Sequence, residues 1–258
     1  MAIRMLEGFE TRQSGTYLAR AWETLAGAIT SFTAPRKAGS ASAQATNHTL
    51  TSWPLVPADS NVWIIGFGYY MNATTCASTV TLMDDTATAQ LSLAFSTGTT
   101  ENTFKIAVKR GSTTLATSIE IQGHQWHYIE FKATVRTGAN GAYELKVDGV
   151  SLLSDGSENT ADTGADGASI FQFNWGGAVC RFDDIVIADD TGASMTTSWA
   201  TRWSWESCRT ATEPPASGSR APARRTPRWW TTRPARRTTP TTSARTRTGT
   251  STSTPSAT

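Results

Sequence analysis

The chain has 258 residues, a net charge of +2, and 38% hydrophobic and 9% aromatic residues, enough to bury one sizeable core. No run of about 18 apolar residues is present to span a bilayer as a helix, and Met1 to Glu10 (MAIRMLEGFE) lacks the apolar stretch of a secretory signal, so the expectation is a soluble protein that is not conventionally exported. The near-neutral total hides two unlike parts: residues 196–258 hold eleven arginines, no lysine and two glutamates, a balance of +9, which leaves −7 for residues 1–195.

In chain order, Tyr17 to Ile29 places Leu18, Trp22 and Leu25 on one helical face but fits a pair of strands equally well, and residues 33–46 are rich in Ala, Ser and Gly and read as irregular. Thereafter short runs alternate apolar and polar residues, the period of half-buried strands: Asn61 to Met71, Thr79 to Met83, Gln90 to Phe95, Phe104 to Lys109 and Thr114 to Ile121. In Tyr128 to Val135, Ile129, Phe131, Ala133 and Val135 share the inward face while Tyr128, Glu130, Lys132 and Thr134 point outward. The next run turns Tyr143, Leu145 and Val147 inward, after a loop whose Asn140-Gly141 is expected to supply the positive φ angles of a tight reversal. Asp148-Gly149 makes a second reversal into Val150 to Leu153, and Ser169 to Asn174 and Arg181 to Ala188 complete the series. Ten to thirteen strands without a convincing helix predict an all-β, antiparallel two-sheet sandwich over residues 1–192, followed by a disordered Thr/Arg/Pro-rich basic tail over 193–258.

Few residues invite chemistry. His124 and His127 form an H-x-x-H pair, but on a strand positions three apart face opposite ways, so they are not expected to share a metal. Glu130 is expected to make a surface contact with a lysine on the paired strand. Asp84-Asp85, Asp183-Asp184 and Asp189-Asp190 could offer oxygen ligands to Ca²⁺, yet the first and last have the composition of turns, and adjacent residues of a strand diverge at the second. Trp63, Tyr69, Tyr70, Trp126 and Trp175 are either a sugar-stacking platform or, for most of them, packing. A Cys76 to Cys180 disulfide and two buried free thiols both suit the sequence, and free thiols are the expectation. The E-x-D-x-E pattern of sandwich glucanases, G-x-S-x-G, a P-loop and C-x-x-C are absent. The expectation is therefore a protein that is not an enzyme, with no catalytic residue, no cofactor and no bound metal.

The runs WHYIEFKATV, YELKVDGV and FDDIVIADDTG, in this order, resemble the concanavalin A-like (laminin G-like) jelly-roll domains of structural proteins of tailed bacteriophages. The matching positions are Trp126, Ile129, Glu130 and Lys132, then Val147, Asp148 and Gly149, and finally Phe182, Asp183, Asp184, Ile185, Asp189, Thr191 and Gly192. Leu6 to Glu10 (LEGFE) resembles the family's first strand, which pairs beside the last. The resemblance implies a jelly roll and a virion protein of tail or capsid, non-catalytic, structural or adhesive. Its implied partners are other virion proteins, further copies of itself or a host-surface glycan, with no membrane.

The segment after Met195 has two readings. It is a basic arm suited to phosphate backbones, in which case nucleic acid is a partner, or it is the neighbouring reading frame of a GC-rich gene. Shifted by one base, Met195-Thr196 decodes to Asp and Trp199-Ala200 to Gly without any choice of codon, and Trp229 and Trp230 become Val and Asp. With G or C at free third positions, residues 195–213 decode to Asp-Asp-Phe-Leu-Gly-Asp-Ala-Val-Val-Val-Gly-Val-Leu-Pro-Asp-Gly-Asp-Gly, an ordinary turn, strand and turn close to the continuation of the phage family. The frame-shifted reading is the favoured one. Four functions remain in order of expectation: virion structural or adhesive module, carbohydrate-binding module, nucleic-acid attachment through the arginines and, least supported, an enzyme such as a polysaccharide lyase or glucanase.

Overall fold

The computed structural model describes residues 1–9, 22–26, 29–31, 42–45, 47–56, 59–72, 74–162, 164, 166–176 and 180–191, the side chains of 24–26 and 29–31 excepted. Sixteen strands run through them: β1 (Ala2–Glu7), β2 (Trp22–Ala26), β3 (Ile29–Ser31), β4 (Ala43–Ala45), β5 (Thr49–Ser52), β6 (Val62–Met71), β7 (Thr79–Met83), β8 (Ala89–Thr97), β9 (Thr103–Arg110), β10 (Thr113–Thr117), β11 (Ile121–Gln122), β12 (Trp126–Thr134), β13 (Gly141–Val147), β14 (Val150–Glu158), β15 (Ile170–Asn174) and β16 (Cys180–Asp189). The first sheet has the order β14-β13-β12-β6-β16-β4-β3, with β1 also on β16, and the second the order β10-β9-β8-β7-β15-β5-β2, with β11 also on β9. All pairings are antiparallel. The molecule is the two-sheet sandwich that the alternating runs predict.

Alternation explains the core. On β6, Trp63, Ile65, Phe67, Tyr69 and Met71 all point inward and are fully buried, and β12 and β13 contribute Ile129, Phe131, Ala133, Tyr143, Leu145 and Val147 from beside it. The second sheet answers with Val80, Leu82, Leu91, Leu93, Phe95, Phe104, Ile106, Phe171 and Phe173. Phe67 sits among rings from both layers, 5.7 Å from Phe173, 5.6 Å from Phe182 and 6.3 Å from Phe95, while Trp63 meets Phe171 edge-on at 4.6 Å. Such edge-to-face pairs add about 0.5–1.5 kcal/mol each to the burial of the rings.

Several local expectations need correction. Of the two readings of Tyr17 to Ile29 the described residues take the strands: they belong to β2 and β3, which lie in different sheets, and 17–21 and 27–28 lie outside the described residues. Part of the supposedly irregular 33–46 is β4, preceded by Ser42, and the rest lies outside the described residues. In the loop before β13 the positive φ falls on Gly138 (63°), within a single 3₁₀ turn, and Gly141 is extended at −84°. Asp148-Gly149 does have positive φ at both residues (52° and 81°), as a two-residue reversal of this hand requires. The opening strand begins earlier than LEGFE, at Ala2, and pairs with the last strand as the family resemblance implies: Ala2 is opposite Asp189 and Glu7 opposite Ile185. Among the described residues no helix is long and apolar enough to cross a membrane. The expected boundary at 192/193 and the whole basic segment lie outside the described residues.

Candidate functional site

The outward residues of β6 are Ile64, Gly66, Gly68 and Tyr70, and the two glycines leave a shallow trough on the outer face of the first sheet. Tyr128, on neighbouring β12, fills it: a Cβ added at Gly66 would collide with the Tyr128 hydroxyl. At one end of the trough the register aligns four side chains on four adjacent strands. Gln44 of β4 is opposite Arg181 of β16, Arg181 opposite Tyr70 of β6, and Tyr70 opposite Trp126 of β12.

Contacts follow that register. Arg181 Nε donates to Gln44 Oε1 at 2.7 Å, its guanidinium lies 5.1 Å from the centre of the Tyr70 ring, and the Tyr70 and Trp126 rings are 5.4 Å apart and tilted by 53°. All four residues are half-buried. At about 4.8 Å per strand the row spans roughly 14 Å, the reach of a short oligosaccharide rather than of one ring. Aromatic faces give apolar area to the C–H faces of a sugar, while the guanidinium and the amide supply directional hydrogen bonds. Further along the same face Lys132 is exposed, and Lys146 pairs with Glu144 at 3.3 Å. A cleft of about 380 Å³ opens there, lined by Lys132, Thr134, Tyr143, Glu144, Ser154 and Asp155. Burial, with Asp155 and Glu158 nearby, pushes the Tyr143 phenol up.

The residues singled out in the sequence fall in different places. Trp63, Tyr69 and Trp175 are fully buried and belong to the core; Tyr70 and Trp126 alone of the five form a surface pair. His124 and His127 do not converge, for a reason other than strand alternation. His124 precedes the strand at φ 57° and is exposed, whereas His127 is buried on β12. His127 Nδ1 lies 2.7 Å from Asp148 Oδ2 and Nε2 2.6 Å from the Gln122 carbonyl, so both nitrogens face acceptors. Burial pulls this imidazole down, but those hydrogen bonds and the Asp148 charge outweigh it and its pKa rises above the ordinary histidine value. Glu130 is opposite Lys146 as expected, yet it is buried rather than a surface residue.

Asp84 organises a turn. Its Oδ1 accepts from Thr86 N, Thr86 Oγ1 and Thr88 N, and its Oδ2 from the Gln90 amide at 2.8 Å; burial pushes its carboxyl up, and these bonds bring it below the usual range. Asp183 and Asp184 sit on a bulge, with Asp184 at φ 47° donating its N–H to Asp183 Oδ1. Asp189 is buried and tied to Arg4 at 2.7 Å and to Thr191. Among the described residues no group of three or more His, Cys, Asp or Glu is gathered to hold a metal. Cys76 and Cys180 are free and buried, linked through Tyr69 and Ser78: the Tyr69 hydroxyl is 2.9 Å from Cys76 Sγ and 3.0 Å from Ser78 Oγ, which is 3.1 Å from Cys180 Sγ. The sequence reading missed Gln44, Arg181 and the glycine trough; two glycines two apart in an otherwise bulky strand were the one available signal.

No known family profile and no curated protein sequence matches the chain. Solved structures do. An alginate lyase, Aly36B, is 9% identical with a TM-score of 0.49 over 74% of this chain and 98% of its own. The carbohydrate esterase vb_24B_21 from Shiga toxin-encoding bacteriophage phi24B is 10% identical with a TM-score of 0.50 over 74% and 99%. The carbohydrate-binding module CBM66 from Bacillus subtilis is 8% identical with a TM-score of 0.38 over 64% and 91%. At such identity the likeness to the esterase is one of fold, an all-β sandwich. It corrects the expectation that the chain is not an enzyme, because an esterase is built on this fold. The missing E-x-D-x-E pattern rules out one carboxylate arrangement for glycoside hydrolysis. Abstraction of a proton beside a carbonyl, or attack on an ester, needs no such pair.

Proposed function

We propose that the chain is a glycan-recognising sandwich that works on the outside of a bacteriophage particle, with the outer face of its first sheet as the sugar platform. The observation that carries this reading is the in-register row Gln44–Arg181–Tyr70–Trp126, where surface aromatics and fixed polar groups meet on one face. The ordered resemblance of WHYIEFKATV, YELKVDGV and FDDIVIADDTG to phage jelly rolls supports the virion setting, as does a phage-borne esterase with this fold. Other virion proteins and further copies of the chain are then its structural partners, and the arginine-rich end is read as a frame-shifted extension. Binding to an array of bacterial surface polysaccharides, lost on Trp126→Ala with the fold intact by circular dichroism, is the expected result. Unchanged binding by that variant, or binding to nothing on the array, refutes the reading. Release of new chain ends from a bound polysaccharide identifies the same face as catalytic.

A further inference from the structure

Arg181 is the unusual member of the row. Its Nε is committed to Gln44 and its guanidinium carbon lies over the Tyr70 ring, which fixes the group, yet among the described residues no carboxylate pairs with it. The ion pairs described on this sheet use other groups: Lys146 is with Glu144, His127 with Asp148, and Arg4 with Asp189 at the other end of β16. Asp183, two residues on and on the same face, is fully buried and shows no surface to a ligand. A half-buried guanidinium held this way presents its two Nη groups as a ready fork, the geometry that takes a carboxylate bidentately. It stands one strand spacing, about 4.8 Å, from Tyr70 and two from Trp126. A sugar chain with one pyranose on Trp126 and the next passing Tyr70 therefore brings a ring substituent to the guanidinium that lies over Tyr70.

We propose that the row selects acidic glycans, with the ring carboxylate of a uronic acid accepting from Arg181 while a neighbouring sugar face lies on Trp126. This rests on the platform reading above and adds the class of sugar. Gln44 is a positioning residue that holds the fork.

The test uses the full chain and calorimetry at constant ionic strength, with tetragalacturonate and with the same tetramer after reduction of its carboxyls to alcohols. A sulfated neutral tetramer serves as a third probe. The wild type is expected to bind the uronate about tenfold or more tightly than either of the others. Arg181→Gln should bring the uronate down to the reduced tetramer, Arg181→Lys should recover part of the loss because an ammonium cannot fork, and Trp126→Ala should weaken both sugars alike. Equal affinity for the uronate and its reduced form, with Arg181→Gln unchanged, overturns the acidic selectivity and leaves the platform standing. Equal or tighter binding of the sulfated tetramer overturns the carboxylate assignment. Binding of none of the three overturns the inference, and the polysaccharide array then decides the platform separately.

Discussion

Asp148→Asn is the most informative single change outside the sugar face. Asp148 sits at φ 52°, which Asn tolerates as well as Asp, so the reversal itself is preserved. Its Oδ1 accepts the Tyr128 N–H at 2.8 Å and its Oδ2 meets His127 Nδ1 at 2.7 Å, so an amide keeps one of these bonds and faces the other donor with an NH₂. A charge-assisted hydrogen bond contributes about 1.5–3 kcal/mol. Because the Asp148 side chain is 47% exposed, about 1–2 kcal/mol is the reasonable figure. The sign follows from linkage: the folded-state pKa of His127 is raised above 6.5, so its contribution is fully present below that value and fades as pH rises through the folded-state pKa. Urea unfolding of wild type and variant between about pH 5.5 and 9 should show a gap that is widest at the acid end and narrows by about 1 kcal/mol toward the alkaline end. A gap that is constant or grows with pH refutes a charged His127 clamped between Asp148 and the Gln122 carbonyl.

Phe67→Ala, which empties the ring cluster between the sheets, should cost about 3–5 kcal/mol in urea unfolding, and a loss below about 1 kcal/mol would contradict its central place. Burial pushes the Cys76 thiol up and the Cys180 thiol to about 12, so in a Cys208→Ser protein neither should react with an aromatic disulfide reagent at pH 8 until denaturant is added; prompt native labelling would refute the burial. Deleting residues 196–258 should shift Tm by less than about 2 °C, because the described core closes by Asp189; calorimetry showing a larger drop would tie that segment to the fold.

What the sequence displayed was inward-facing periodicity. Ile129, Phe131 and Ala133, or Tyr143, Leu145 and Val147, announce a strand because the core accepts only apolar residues at every second position, and Asp148-Gly149 announces the reversal between them. The outer face gives no such signal. Gln44, Tyr70, Trp126 and Arg181 lie on four strands far apart in the chain, and only the pairing register makes them neighbours. Glu130 looks like a solvent residue because it alternates outward, and periodicity does not report that it is buried. Trp22 and Leu25 satisfy a helical spacing by chance, and the sheet overrode it.

The pairing of β1 with β16 has a consequence for biogenesis. Arg4 and Asp189 are 185 residues apart in sequence. At about 5–20 residues per second a ribosome needs roughly 10–40 s to deliver the second partner after the first. Through that interval the opening strand waits without its mate, so the nascent chain must keep a bare edge from pairing wrongly, and the sandwich closes as one late, slow event rather than growing sheet by sheet.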